Sequence, residues 1–188
     1  GREIVLTTSV GISIYPMDGE DTSELLRNAD AAMYHSKELG RNTYSYFTGN
    51  MNLKVARRLL LEGHLGGGLK NNEFEVVYQP QIDADGKTVG AEALLRWEDD
   101  DLGKVRPDLF IPIAEKSGLI FDIDIWVFEH AIAQVKKWRA EFQEDFIVAI
   151  NFSPTNFHHR DLPDWTHNHS IFLQSLEWVE LEVTERLM

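Results

Sequence analysis

The sequence predicts an α/β protein, with parallel strands forming a layer or barrel and a smaller strand–helix–strand unit ahead of it. Three observations lead there. Residues Gly90 to Trp97 alternate in character between the turn signal Asp83-Ala84-Asp85-Gly86 and the acidic loop Glu98 to Asp101, which reads as a strand. From Pro107 onward, helical and strand patterns alternate, as parallel sheets require. Arg96, Asn151, Thr184 and Glu185 all fall late in their predicted strands, where α/β barrels carry their chemistry.

Taken in order, Ile4 to Tyr15 reads as a strand or bent strand pair, broken at Gly11 and ended by Pro16. Thr22 or Ser23 can cap a helix running to about Leu39, with Leu25, Leu26, Ala29 and Met33 on its apolar face and Gly40 as its stop. Thr43 to Phe47 is a short closing strand. Thr48-Gly49-Asn50 marks a domain boundary, giving 1–48 as a first domain, 49–56 as a linker and 57–188 as a second. A second helix is expected from Met51 to about Leu69, with Gly66-Gly67-Gly68 inside it at about 0.8–1 kcal/mol each relative to alanine. The Gly63 to Lys70 segment imitates a phosphate loop, but Asn71 stands where Ser or Thr is required and no strand leads in. Strands over 74–82 and 88–97, helices over 107–116 and 120–142, a strand over 146–152, a helix over 163–176 and a strand over 178–184 complete the chain.

Composition narrows the function. The 188 residues are 43% hydrophobic and 11% aromatic, enough for a sizeable core. No apolar run reaches the roughly 18–20 residues of a membrane span, and the N-terminus does not read as a signal peptide. Cysteine is absent, which excludes disulfides and thiolate chemistry and fits a cytoplasmic setting. A formal charge of −13 argues against nucleic-acid polymers, while a small phosphorylated ligand stays compatible if a cation reverses the local field.

Strand alternation puts Glu92, Leu94 and Arg96 on one face. Charges on a buried strand face need partners, and a metal, an anion or a mutual Glu92–Arg96 ion pair would each serve. His158, His159, His167 and His169 lack the spacing of a fixed metal site and read as solvated histidines.

The motifs Tyr78-Gln79-Pro80-Gln81, Glu92-Ala93-Leu94-Leu95-Arg96-Trp97, Phe110-Ile111-Pro112-Ile113-Ala114-Glu115, Ile150-Asn151-Phe152-Ser153-Pro154 and Leu181-Glu182-Val183-Thr184-Glu185 occur in order. Together they resemble the EAL domain, a barrel phosphodiesterase that linearises cyclic di-GMP. Ahead of them, Thr8-Ser9-Val10-Gly11-Ile12-Ser13, Tyr15-Pro16, Ala29-Asp30-Ala31-Ala32-Met33-Tyr34 and Lys37-Glu38-Leu39-Gly40-Arg41-Asn42 resemble the end of a GGDEF domain, the family that makes cyclic di-GMP. The expected fold is thus a partial TIM-like (β/α) barrel of the EAL type, preceded by a βαβ remnant of a GGDEF-type domain.

The resemblance implies Mg2+ or Mn2+ held by Glu92, Asn151 and Glu182, with Glu92, Glu182 and Glu185 serving catalysis and Gln79, Leu94 and Arg96 contacting cyclic di-GMP. It implies that Lys37 and Arg41, one helical turn apart, face a nucleotide phosphate. The residues alone also fit two cations at a helix C-terminus. The GGDEF signature loop has no counterpart here, and the EAL match reaches Met188 about halfway through that domain. The expectation is therefore an enzyme whose activity belongs to a larger protein, with this chain silent by itself and self-associating or pairing with the rest of the barrel. A cyclic di-GMP receptor without catalysis is the alternative.

Overall fold

The computed structural model describes residues 6–142, 146–168 and 177–183. The chain divides into two compact units, Gly1–Leu60 and Leu61–Met188.

In the first unit, β1 (Val10–Ile12) and β2 (Tyr44–Tyr46) pair in parallel, joined by helix α1 (Thr22–Glu38). Among the described residues the first strand is shorter than the sequence suggested: three of them, Val10–Ile12, join the ladder. Gly11 does not bend the chain. A Cβ there would strike the Ala29 carbonyl and the Met33 backbone, so its bare backbone is what lets α1 lie against β1. The cap of α1 is Asp21 rather than Thr22 or Ser23, because its Oδ1 reaches the Glu24 amide at 2.8 Å. The helix ends in a Schellman-type turn: Gly40 takes φ 105°, and the Arg41 amide donates to the Ser36 carbonyl at 3.2 Å. Residues 49–56, expected as a linker, form the start of helix α2 (Gly49–Leu65), which begins two residues before the expected Met51. That helix stops before the three glycines, correcting the expectation that it carries them. Gly66 to Gly68 form successive turns, with the Gly67 and Gly68 amides donating to the His64 and Leu65 carbonyls. A Cβ on Gly68 would sit 2.7 Å from the Phe74 ring.

The second unit is built on a five-stranded sheet of β3 (Phe74–Ile82), β4 (Thr88–Asp99), β5 (Gly103–Val105), β6 (Ile147–Asn151) and β7 (Val179–Glu182). The order is β3-β4-β6-β7, with the short β5 on the far end of β4. The strands β4, β6 and β7 are parallel, as the alternation predicted. β3 and β4 are antiparallel, because the five-residue connection 83–87 is too short for a crossover.

Helices α3 (Pro107–Ser117) and α4 (Ile120–Phe142) cover one face of the sheet. Phe74, Ala93, Trp97, Val148 and Ile150 from the strands pack there against Phe110, Ile113, Val127 and Ala131. The Trp97 ring meets the Phe110 ring edge-on at 5.4 Å, and its Nε1–H donates to Glu73 at 3.0 Å. After β6 come a 3-10 helix (Pro154–His158) and helix α5 (Leu162–Asn168). The expected continuation of α5 to Leu176 lies outside the described residues, as does Thr184, the expected end of the last strand. Among the described residues, no helix is long and apolar enough to cross a membrane.

Candidate functional site

Because the helices take one face of the sheet, the polar residues are left on the other. Residues paired across a ladder point the same way, so the register defines that face. Gln79 pairs with Glu92, Val77 with Leu94, and Glu75 with Arg96 across β3 and β4. Glu92 also pairs with Ala149 on β6, and Asn151 pairs with Glu182 on β7. Gln79, Glu92, Leu94, Arg96, Asn151 and Glu182 therefore occupy one face of four adjacent strands.

The decisive contact joins β4 to β6. The Asn151 amide Nδ2 donates to Glu92 Oε1 at 2.8 Å, across 59 residues of sequence. Glu182 stands beside Asn151 on the next strand, one ladder spacing of about 4.8 Å away. The Phe152 amide donates to the Glu182 carbonyl at 2.9 Å and holds those two strand ends level. Two carboxylates and a carboxamide thus sit side by side, a donor set of oxygens suited to a hard divalent cation.

Arg96 bears on one alternative left open by the sequence, the mutual ion pair with Glu92. Among the described residues it forms no ion pair with Glu92. Its Nη1 donates to the carbonyl of Leu95, at 2.8 Å. The half-buried guanidinium lines a cavity of about 380 Å³ at the carboxyl ends of the parallel strands. Leu94, Asn151 and Glu182 share that cavity with Ile111 and Pro112 of α3 and Val127 of α4. Gln79 and Glu92 do not line it; they lie nearer the other end of β4 on the same face. Glu185 is outside the described residues.

Four residues of this region escaped the sequence reading as site residues: Glu115, Asp124, Ser153 and Asn156. Asp124 lies 6% exposed on α4. Its Oδ2 accepts the Ser153 amide and the Asn156 Nδ2, each at 2.8 Å. The Ser153 hydroxyl donates to Glu115 Oε1 at 2.8 Å. Burial pushes the Asp124 pKa up to about 7, with the Ser153 amide opposing that rise and the charge on Glu115 adding to it. The available signal was an Asp in the apolar stripe Ile120, Phe121, Val127, Phe128.

Elsewhere, Lys37 and Arg41 are not one helical turn apart as their spacing suggested. The helix has ended, and Arg41 takes φ 63° beyond Gly40. Lys37 sits in the last turn of α1, where a cation complements the helix dipole. His159 stacks on Phe121 at 3.8 Å, and His169 lies outside the described residues. His64, Asp99 and Asp101 bring ligand-type atoms within 4.8 Å of one another. Their geometry is that of a turn: Asp99 accepts the Asp101 and Leu102 amides and meets His64 Nδ1 at 2.8 Å. Burial raises the Asp99 pKa, but those hydrogen bonds and the His64 charge outweigh it and leave it lowered.

Comparison with known proteins agrees with the geometry. Residues 63–188 match the EAL domain, and residues 1–43 match the "Diguanylate cyclase, GGDEF domain". The chain belongs to the EAL domain family. Over 187 residues it is 41% identical to the bifunctional diguanylate cyclase/cyclic di-GMP phosphodiesterase MucR of Pseudomonas aeruginosa, covering 98% of this chain and 27% of that protein. The biofilm architecture maintenance protein MbaA of Vibrio cholerae is 40% identical, with 96% of this chain and 23% of that protein covered. This EAL chain therefore spans about a quarter of the length of these relatives. A solved structure of the MucR phosphodiesterase in complex with c-di-GMP superposes with a TM-score of 0.60 at 38% identity, over 67% of this chain and 52% of that one. The neighbouring structures give the second unit the TIM-like EAL fold, of which the sheet described above is part.

Proposed function

We propose that this chain forms part of a metal-dependent phosphodiesterase that hydrolyses cyclic di-GMP to linear pGpG in the bacterial cytoplasm, coupled to the GGDEF-type unit ahead of it. The observation that carries this reading is the Glu92–Asn151 contact with Glu182 alongside, on adjacent parallel strands. The all-oxygen donor set fits Mg2+ or Mn2+, and Glu92, Asn151 and Glu182 would hold it. When bound, such an ion polarises a phosphoryl oxygen and lowers the pKa of a water.

The chain's own residues do the rest. Arg96, with no carboxylate partner among the described residues, offers a guanidinium fork to a phosphate. Leu94 and its apolar neighbours line the cavity and exclude water around the diester. Gln79, exposed on the same face, offers an amide to a guanine edge or a phosphate. Glu185, three residues past Glu182, is assigned to ordering a catalytic loop. In the reaction, a water oxygen bonds to phosphorus, the P–O3′ bond breaks, and the departing 3′ oxygen takes a proton.

In the full-length protein, Glu92→Gln and Glu182→Gln should each weaken metal binding and nearly abolish hydrolysis while leaving circular dichroism unchanged. Near-normal rates in either variant at limiting magnesium would overturn the assignment.

A further inference from the structure

The turn after β6 is fastened more firmly than an ordinary strand end. Ser153 stands two residues beyond Asn151 and is buried, 9% exposed; Asn156, in the 3-10 helix, is 1% exposed. Both point their N–H groups at a single oxygen of Asp124. Glu115 then takes the Ser153 hydroxyl, which also lies 3.0 Å from Thr155 Oγ1. Between Asn151 and Ser153, the ladder bond from the Phe152 amide to the Glu182 carbonyl fixes the backbone. The segment 151–156 is thus held from the sheet by β7 and from the helix layer by Asp124. A carboxylate is an expensive way to satisfy two buried donors, since burying it opposes its charge. Serine and asparagine donors converging on one buried acid specify the place of this turn, and with it the place of Asn151.

We propose that Asp124 is a positioning residue: acting through Ser153 and Asn156, it sets the Asn151 carboxamide against Glu92 and so fixes the spacing of the three oxygen donors. Asp124 stands 6% exposed in the wall of the cavity, with its Oδ2 taken by Ser153 and Asn156, so it acts through them. Its influence passes through the backbone of Phe152 and Ser153, a path of two peptide units. The inference rests on the reading of Glu92, Asn151 and Glu182 as metal ligands.

The test is Mn2+ affinity, measured by calorimetry on the full-length protein, for Asp124→Ala, Asp124→Asn and Asn156→Ala beside Glu92→Gln. Asp124→Ala should weaken Mn2+ binding by about tenfold or more, the range seen when a partner of a metal ligand is removed. Asp124→Asn keeps a carbonyl oxygen for both donors and should recover affinity to within about threefold of the wild type. Asn156→Ala removes one of the two fastenings and should fall between them. If Asp124→Ala does not fold, Asn156→Ala decides: weaker Mn2+ binding supports the proposal and unchanged binding overturns it. A purely structural role predicts a lower Tm with unchanged Mn2+ affinity in Asp124→Ala, and that result would overturn the proposal while Glu92→Gln still loses the metal. If Glu92→Gln also binds Mn2+ normally, the ligand assignment itself has failed and takes the proposal with it.

Discussion

Replacing Asp124 with Asn should change how stability depends on pH, and the size of the change follows from the burial of that carboxyl. Its pKa is pushed up to about 7 in the folded protein, against about 3.9 for an aspartate in an unfolded chain. The folded state therefore holds a proton that the unfolded state has released between about pH 4 and pH 7. The contribution of this group to stability is full below the unfolded pKa, falls as pH rises, and levels off above the folded pKa. A span of about three pH units at 1.36 kcal/mol each amounts to roughly 4 kcal/mol. The asparagine carries no titrating proton and should lack this slope. Other carboxylates titrate in the same range, so the informative quantity is variant minus wild type. That difference should move in favour of the variant by up to about 4 kcal/mol from pH 4 to pH 8. All five tryptophans lie between Trp97 and Trp178, so urea unfolding followed by their fluorescence reports on the second unit. Performed in EDTA, the measurement leaves metal out. A difference that stays constant across the range would show that Asp124 ionises as an exposed aspartate does, and would refute the reasoning.

Arg96→Ala should raise KM for cyclic di-GMP by about tenfold with little change in Tm, since among the described residues the guanidinium makes one hydrogen bond, to Leu95. A lower Tm at constant KM would return Arg96 to a structural role. Gly90→Ala should open the β4–β6 ladder, because the new methyl meets the Ile147 carbonyl; a loss of about 1–3 kcal/mol, read by thermal melting, is expected. Among the described residues, β3 and β7 each have a strand neighbour on one side only. The 188-residue chain should therefore self-associate through these edges in light scattering, and a stable monomer at high concentration would count against it.

Much of the sheet face was legible because a strand has a period of two. Once Gly90 to Trp97 is a strand, Glu92, Leu94 and Arg96 must share a side, whatever packs against them. The alternation of helix and strand likewise located β6 and β7 and the late positions of Asn151 and Glu182. The sequence could not reveal which neighbours the register would supply, and so left Arg96 free to pair with Glu92. Asp124 was harder still. Its donors come from 29 and 32 residues away, and no local pattern announces such a contact. Local rules failed where chain direction changes. Asp21, Thr22 and Ser23 are all competent caps, and only geometry chose the first. The i, i+4 spacing of Lys37 and Arg41 assumed a helix that continues, whereas left-handed Gly40 and Arg41 had already reversed it.

The antiparallel start of the sheet also separates two ends of the molecule that an engineer would wish apart. The tip of the β3–β4 hairpin is a small, exposed turn in which Asp83 Oδ1 accepts the Asp85 and Lys87 amides at 3.0 and 2.9 Å, and Gly86 takes φ 82°. From Thr88, the first residue of β4, to Arg96 is eight strand steps, about 26 Å. A fluorophore or affinity tag spliced in at Gly86 would thus ride at the opposite rim from Arg96, Asn151 and Glu182, offering a handle for immobilising or labelling the sheet without crowding its carboxyl ends.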